Sequence, residues 1–420
     1  MPLSKQADGL PVSNPPLRIL TLATCFPNPV DPIPGTFIRS RLQNMTPGAD
    51  IWVVAPIPAL NYSKLRHGGA IAGGIPSYEE DGALRVSHPR WFYPPLGGLF
   101  NAFFLFVQLI RPIRRLRVGF PFQLIDAHFG YPEGIAAALL SIVFRRPFTV
   151  TLRGSEVDHA TKPVRRLGMA WALRRAALVI AVSERLRQFS LELGVDERRT
   201  ALIPNGVDSG VFYPRDREAL RRALGIGPSQ RLIVSAGALV ELKGHHRTIA
   251  AVKRLLDQGI PVQLRIAGGA GPHENVIRRQ IAELSLGEHV HLLGALPPDR
   301  LAELMCAADV FCLASRREGW PNVVQEALAC GTPVVATNVG AVPAMLPAAT
   351  YGLVVPPNDP APLAAALGQA LNTQWDRAAI SVWGMSRSWP QVASEVLRHF
   401  AQIAGQAASE QGVAGNLARS

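Results

Sequence analysis

Short apolar segments alternate with longer segments of helical character along almost the whole chain, as in 134–144 and 246–259. Regular alternation of strands and helices is typical of a parallel sheet that helices cover on both faces. The sequence therefore predicts an α/β protein. Ten apolar segments have the length and composition of buried strands: 17–24, 50–56, 122–128, 147–154, 176–183, 231–237, 262–269, 289–294, 309–315 and 332–340.

The alternation occurs twice, on either side of the segment "IPNGVDSGVFYP" (203–214). Its proline, glycine and asparagine residues favour turns, so it is the best candidate for a linker. We expect two doubly wound, Rossmann-like domains that face a cleft, with ligands bound beyond the carboxyl ends of the strands. The expected parts are a flexible tail at 1–16, a first domain at 17–208, a second domain at 209–385, a crossover helix at 386–405 and a flexible tail at 406–420.

The charge balance narrows the classes of partner. Lysine and arginine total 43 and aspartate and glutamate 31, so the net charge is +12. This balance favours anionic partners, including phosphorylated small molecules and acidic lipid surfaces. No nucleic acid partner is expected, because the sequence contains neither a known reading module nor a run of alternating basic and aromatic residues.

Cysteine and histidine spacing argues against a metal site. The four cysteines form no CxxC pair, and the ten histidines form no HExxH or zinc-finger spacing. Four reduced thiols are typical of a cytoplasmic protein. The first sixteen residues lack the apolar core of a signal peptide, which agrees with that location.

The segment "LFNAFFLFVQLIRPIRRLRV" (99–118) combines an apolar run with a cluster of arginines. It is too short, and too interrupted by Pro112, to span a bilayer. One interpretation is a partly buried helix of the first domain. The other is a helix at the membrane surface, whose arginines dock on anionic lipid at the inner membrane.

The stretch "EGWPNVVQE" (318–326) carries the most chemistry. It follows a predicted strand, and a helix is expected to begin near Val323. The first backbone amides of a helix have no partner one turn earlier, so they form an anion site. The amides in question are those of Asn322, Val323 and Val324.

Two carboxylates flank this anion site. Glu318 precedes the helix and Glu326 lies one turn into it, so both can accept hydrogen bonds from the hydroxyl groups of a polyol. Gly319 lets a ligand approach the backbone closely. The stretch can thus hold a phosphate between two polyhydroxyl groups, the layout of a sugar nucleotide. The alternative is a capped helix with surface glutamates.

Four residues at other predicted strand ends add to this picture, each with an alternative. Lys243 can supply a point charge to a phosphate, or be solvated. Gly35 can bring the backbone near a phosphate, or simply make a turn. His128 faces the predicted cleft, or belongs to the core. Arg153 is an anion ligand, or a surface charge.

Taken together, these segments resemble the retaining glycosyltransferases of family 4, which have the two-domain GT-B fold. The resemblance covers residues 17 to about 400 and is closest to bacterial members that build cell-surface polysaccharides. Its most specific part is the Glu-x7-Glu signature of 318–326. The segments "PGTFIRSRL", "DAHFGYPEGIAAALL", "VTLRGSEVD", "LIPNGVD" and "ALVELKGH" fall in the order of the family.

The resemblance implies a role for each matching residue. Glu318 would bind hydroxyls of the donor sugar, and the amides of 319–324 would meet sugar and phosphates. Glu326 would bind the ribose, Lys243 would neutralise the diphosphate, and Gly35 would line the cleft beside it. His128 would lie near the reacting face of the sugar, and Asn205 and Gly206 near the hinge between an acceptor-side first domain and a nucleotide-sugar-binding second domain.

The resemblance also implies the reaction. A hexose would pass with retention from a UDP- or GDP-linked sugar to a lipid-linked or glycan acceptor, with no cofactor beyond the donor. The acceptor would attack the face from which the diphosphate leaves, and charges aimed at the diphosphate would stabilise its departure.

The sequence departs from the family pattern at Ala238, where relatives carry an arginine that contacts the diphosphate. Arg153, Arg247 and Arg317 are the candidates to replace that charge. Two other functions stay open. An epimerase that acts on UDP-N-acetylglucosamine shares the architecture, and the loss of the arginine at Ala238 leaves open a non-catalytic partner that only binds a nucleotide sugar.

Overall fold

The computed structural model describes residues 16–59, 74–93, 98 and 100–417. The first domain contains an eight-stranded sheet in the order β10-β9-β8-β7-β1-β2-β5-β4, and β3 pairs with β6 beside it. Its strands are β1 Leu17–Leu22, β2 Ala49–Val54, β3 Ile57–Pro58, β4 Tyr78–Asp81, β5 Leu84–Ser87, β6 Arg90–Trp91, β7 Leu124–His128, β8 Phe148–Leu152, β9 Leu178–Ala181 and β10 Thr200–Leu202. Its helices are α1 Thr36–Met45, α2 Asn101–Gly119, α3 Ile135–Phe144, α4 Glu156–His159, α5 Pro163–Leu173 and α6 Glu184–Glu192.

The second domain contains a six-stranded parallel sheet in the order β13-β12-β11-β14-β15-β16. Its strands are β11 Arg231–Ala236, β12 Val262–Ala267, β13 Val290–Gly294, β14 Val310–Leu313, β15 Val334–Thr337 and β16 Gly352–Val355. Its helices are α7 Arg217–Ala223, α8 His245–Asp257, α9 Glu274–Glu283, α10 Pro298–Ala307, α11 Asn322–Ala329, α12 Val342–Met345, α13 Pro360–Asn372 and α14 Arg377–Gly384, and α15 Trp389–Leu417 follows.

All ten predicted strands are present, and the two-domain α/β architecture is confirmed. Four hydrophobic clusters surround the sheets, two in each domain. The expectation of an entirely parallel first sheet is wrong at one edge, where β4 pairs with β5 in antiparallel orientation. The hairpin "YEEDGALRVS" turns at Gly82, which has a φ of 61°. This hairpin was not predicted, because its charged residues interrupt the apolar run that is typical of a buried strand.

The last helix returns to the first domain. Trp389, Val392, Val396 and Phe400 of α15 are buried in the same cluster as α1. Helix α15 lies where the crossover helix was expected, and it continues to Leu417, past the expected end at residue 405. The helix thus extends into the segment 406–420, whose expected flexibility stays a prediction, and residues 1–15 of the expected tail at 1–16 lie outside the described residues.

Two chain segments connect the domains, and they run side by side. Val207 of the linker pairs with Ser388, just before α15, in an isolated parallel bridge. The amide of Val207 donates to the carbonyl of Arg387 at 3.0 Å, and the guanidinium of Arg387 donates to the carbonyl of Pro204 at 3.0 Å. A Cβ on Gly206 would lie 2.6 Å from the Ser388 backbone, so a glycine is needed here.

Helix α2 is partly buried, as the first interpretation of its segment predicts. Leu105, Leu109 and Ile113 pack into the first domain, while Phe103 and Val107 are about half exposed. Within the described residues, no helix is both long and apolar enough to cross a membrane.

Candidate active site

The loop after β14 carries the central motif and meets the first domain. Helix α11 begins at Asn322, one residue before the predicted position. A Cβ on Gly319 would overlap the carbonyl oxygen of Arg153, and a Cβ on Gly154 would lie 3.0 Å from the Gly319 backbone. The close approach expected at Gly319 is therefore made to the other domain, and the two domains touch at this point.

Glu318 and Lys243 form an ion pair. The Lys243 ammonium lies 2.7 Å from one carboxylate oxygen of Glu318, and the Ser315 hydroxyl donates to the same oxygen at 2.7 Å. From the sequence, Lys243 was expected to bind a phosphate and Glu318 a sugar. The structure brings the two residues together as one ion pair.

Glu326 offers a carboxylate without a partner. No hydrogen bond or ion pair of its side chain occurs in the described part of the chain, and desolvation raises the pKa of Glu326 to about 7. The amide prediction is corrected at Val324, whose N–H donates to the carbonyl of Pro321 at 3.0 Å. Asn322 and Val323 hold the first two positions of the helix and have no acceptor one turn earlier.

His128 lies under Arg153 and is fully buried. One ring nitrogen, Nδ1, accepts from the Arg153 guanidinium at 2.9 Å, and Nε2 lies 3.2 Å from Asp126. Burial and the neighbouring Arg41 lower the pKa of His128 to about 3, so its ring is neutral. The side chain has no exposed surface in this structure, and its hydrogen bond helps to orient Arg153.

Arg153 is not the surface charge of the alternative interpretation, since only 8% of the residue is exposed. The guanidinium lies over the Phe37 ring and donates to Asn205 Oδ1 at 2.9 Å. Asn205 donates in turn to Asn322 at 2.9 Å, which connects the end of β8, the linker and the start of α11. Burial and Arg41 hold the pKa of Arg153 well below its ordinary value.

The three arginines proposed to replace the missing charge at Ala238 differ in their partners. Arg317 pairs with Asp158 across the domain boundary. Arg247 lies 3.4 Å from Glu241 and donates to a backbone carbonyl. Among the described residues, no carboxylate makes an ion pair with Arg153, so its charge is the least compensated of the three.

Gly35 begins α1 in the left-handed conformation, with a φ of 79°. A Cβ there would overlap the carbonyl oxygen of Cys25, so the turn after β1 packs directly on this glycine. Glu133 binds the same turn. Its carboxylate accepts a hydrogen bond from the amide of Thr24 at 3.0 Å and another from the Thr24 hydroxyl. Glu133, within the segment "DAHFGYPEGIAAALL", was not predicted as a functional residue, because a glutamate in a turn is ordinarily solvated.

Comparison with known proteins decides the family. The model described as "Glycosyl transferases group 1" matches residues 216–382, and "Glycosyltransferase Family 4" matches residues 70–210. TuaC of Bacillus subtilis, named as a glycosyltransferase of teichuronic acid biosynthesis, is 30% identical over 81% of this chain and 86% of its own. The chain belongs to the family 4 glycosyltransferases.

Other relatives of this glycosyltransferase match shorter parts. WcaL of Escherichia coli, named for colanic acid biosynthesis, is 30% identical over 63% of this chain and 65% of its own. A D-inositol 3-phosphate glycosyltransferase of Corynebacterium urealyticum is 32% identical over 59% and 62%, respectively.

Solved structures support the GT-B fold of the glycosyltransferase. Sucrose-phosphate synthase from Thermosynechococcus elongatus superposes with a TM-score of 0.71 and 20% identity, over 96% of this chain and 100% of that one. Anabaena HepE in complex with UDP superposes with a TM-score of 0.69 and 20% identity, over 92% of this chain and 100% of that one. At this identity the likeness bears on the fold alone.

Proposed function

We propose that this glycosyltransferase transfers a hexose, with retention, from a nucleotide sugar to a lipid-linked or polysaccharide acceptor of the cell surface. The observation that carries the proposal is the Lys243–Glu318 pair beside the start of α11. A cation, two helix amides and two carboxylates here meet the needs of a diphosphate between two polyhydroxyl groups.

The donor would bind mainly to the second domain. Glu326, whose carboxylate lacks a partner in the described residues, accepts the ribose hydroxyls. Lys243 turns from Glu318 to the diphosphate, which frees Glu318 to accept hydroxyls of the sugar. Gly35 lines the opposite side of the cleft, next to the diphosphate. Each part keeps the role that the family resemblance implies.

The first domain would supply a second charge. Arg153 lies within hydrogen-bonding distance of Asn205, which bonds to the first residue of α11. A buried guanidinium without a carboxylate partner gains most from an incoming anion, because its charge is poorly solvated. We assign Arg153 to the donor diphosphate, in the role that Ala238 cannot fill.

The transfer step needs no nucleophile from the protein. The bond from the anomeric carbon to the diphosphate breaks, and the acceptor oxygen forms its bond on the same face. The acceptor proton passes to the departing phosphate oxygen, so charge and atoms balance. Lys243 and the amides of α11 stabilise the negative charge that develops on the leaving group. Contact of the two domains at Gly154 and Gly319 excludes water, which limits hydrolysis.

The relatives support a cell-surface product and a nucleotide-sugar donor. TuaC and WcaL are named for teichuronic and colanic acid biosynthesis. HepE has been solved with UDP and with UDP-glucose. Both UDP- and GDP-linked sugars remain in the proposal, with a site of action on the cytoplasmic side of the inner membrane.

One assay tests the proposal. The purified protein is mixed with radiolabelled UDP-glucose, UDP-N-acetylglucosamine or GDP-mannose, with and without bacterial lipid extract. Transfer of label into lipid or polymer is the expected result. An isomerised nucleotide sugar formed without acceptor would indicate the epimerase instead, and binding without turnover would indicate the non-catalytic partner.

Membrane docking is a further part of the proposal. An exposed stripe of α2, composed of Phe103, Val107, Arg111 and Arg114, joins an apolar half to a basic half. Such a surface inserts its apolar part between headgroups while its arginines attract anionic lipid. A lipid-linked acceptor would then be presented beside the first domain.

Sedimentation with vesicles tests this docking. The protein is expected to sediment with phosphatidylglycerol vesicles at low salt and to be released when Arg111, Arg114 and Arg115 are changed to Glu. Phosphatidylcholine vesicles should not bind it. The absence of sedimentation at low salt would contradict membrane docking.

A charge-matched control variant lies on the second domain. Changing the exposed Arg254, Arg278 and Arg279 to Glu alters the net charge by the same amount. This variant should still sediment, because its changes lie away from α2. Equal release of both variants would show that net charge alone drives the binding.

A further inference from the structure

Glu133 is a buried carboxylate in the turn between β7 and α3. Only 1% of the residue is exposed, and one oxygen, Oε1, accepts both the amide and the hydroxyl of Thr24. Within the described residues, the other oxygen is buried and has no hydrogen-bond partner. Burying a carboxyl in this way costs stability. Local rules of this kind are broken mainly at functional sites.

The backbone of this turn is held in an unusual conformation. Phe129, directly after His128, has a φ of 74°, which a bulky residue rarely adopts. The amide of Gly130 donates to Glu156 at 3.1 Å, and that of Gly134 donates to the carbonyl of Phe129 at 3.0 Å. These bonds fix the path of the turn and present Glu133 to the end of β1.

The contact with Thr24 leads to the cleft. Thr24 and Cys25 follow β1, are partly exposed, and lie at the carboxyl end of that strand. The Cys25 carbonyl packs against Gly35, where α1 begins. A shift of Thr24 would therefore move the Cys25 carbonyl and, with it, Gly35, because Gly35 has no side chain that could absorb the displacement.

We propose that Glu133 is a positioning residue for transfer: through Thr24 and Cys25, it holds the start of α1 against the donor diphosphate. This inference rests on the proposed function and adds a residue that acts without touching substrate. The carboxylate sets where Gly35 stands as the leaving group departs, so its loss should affect turnover more than nucleotide binding.

Two pairs of variants test the chain of contacts. Glu133→Ala removes the acceptor, while Glu133→Gln keeps an oxygen for both Thr24 donors. Thr24→Val removes the hydroxyl without changing shape, while Thr24→Ser keeps it. Transfer is measured with radiolabelled UDP-glucose or GDP-mannose and lipid extract, and UDP and GDP affinities are measured by calorimetry.

We expect Glu133→Ala to lower kcat about tenfold to a hundredfold, since small misplacements at a reacting centre cost rates of this size. The donor KM and nucleotide Kd should change less than about threefold, because the second domain supplies those contacts. Glu133→Gln should restore most of the turnover. Thr24→Val should lower kcat in the same direction, and Thr24→Ser should recover it.

A matched carboxylate lies elsewhere in the first domain. Glu79 lies 2.9 Å from His88 on the edge strand β4, which is three positions from β1 in the sheet. Glu79→Ala should leave kcat and KM unchanged. If Glu79→Ala lowered kcat as much as Glu133→Ala, a general loss of domain stability would explain both, and the positioning role would be overturned.

The remaining outcomes separate this inference from the proposed function. Wild-type activity with unchanged turnover in Glu133→Ala and Thr24→Val would overturn the inference alone. If Glu133→Ala fails to fold, the Thr24 pair decides, and equal kcat for Thr24→Val and Thr24→Ser overturns the inference. A wild-type protein that neither binds nucleotide nor moves label would overturn the proposed function, and the inference with it.

Discussion

The two sides of the cleft hold their charged groups in different ways. On the second domain, Lys243, Glu318 and Glu326 lie in loops and at a helix start, and the Lys243–Glu318 ion pair is partly exposed. On the first domain, Arg153 and His128 are buried and joined by direct hydrogen bonds. The difference suggests a division of work: one side exchanges partners when the donor binds, and the other side stays fixed.

The largest expected effect comes from the exchanging side. Lys243→Ala should lower the transfer rate by about a hundredfold to a thousandfold, since it removes charge from the site where the leaving group becomes negative. Lys253→Ala, which breaks an exposed pair with Asp257 on α8, is the control and should have no effect. A transfer rate that survives Lys243→Ala would remove this lysine from the donor site.

In the first domain, the pH dependence of stability should show the titration of Glu133. Burial raises its folded-state pKa from 4.5 to about 7, so the folded protein binds more protons between these values, and stability falls as the pH rises through this range. Glu133→Gln abolishes that loss. The unfolding free energy of Glu133→Gln minus that of wild type should therefore increase by up to about 3 kcal/mol from pH 4.5 to pH 8.

Urea unfolding at both pH values measures this difference. Glu326, whose pKa is also raised to about 7, titrates equally in both proteins, so its contribution cancels. A constant difference between wild type and Glu133→Gln would show that Glu133 titrates normally.

Arg153→Met should separate the two sides by stability. It leaves His128 Nδ1 and Asn205 Oδ1 without their donor, which costs about 1–3 kcal/mol of unfolding free energy. Lys243→Ala should cost far less, because that side chain is partly exposed. Equal losses of stability in the two variants would erase the contrast between a fixed and an exchanging side.

The smallest of these effects concerns donor affinity. Glu326→Ala should weaken UDP or GDP binding about tenfold, because a hydrogen bond to a charged group contributes about 1.5 kcal/mol at the lower end of its range. Glu318→Ala should mainly lower turnover instead. Calorimetry and steady-state kinetics distinguish these cases, and full transfer activity in both variants would show that the donor binds elsewhere.

Much of the fold follows from local patterns, since every predicted strand is a short apolar run between turns. The edge hairpin of β4 and β5 was not predicted from such a pattern, because the alternating charges of β4 are typical of a solvated strand. Helix α11 was placed within one residue, since a loop-to-helix junction has a local signature.

The site was harder to predict because its contacts join distant residues. Lys243 and Glu318 are 75 positions apart, and spacing cannot show that they pair. The burial of His128 depends on Arg153 from the next strand, which covers it only after the sheet forms. The prediction for Val324 failed for a local reason, since a tight first turn lets its amide bond to the carbonyl three residues earlier, at Pro321.

The paired connections at Val207 and Ser388 have a mechanical consequence. Two chain connections that lie side by side restrict the domains to rotation about one axis, whereas a single connection would allow rotation about several axes. We therefore expect the two domains to open by rotation about this axis and to resist rotation about other axes. The edges that travel farthest are those opposite the hinge, so a bulky acceptor would enter from that rim.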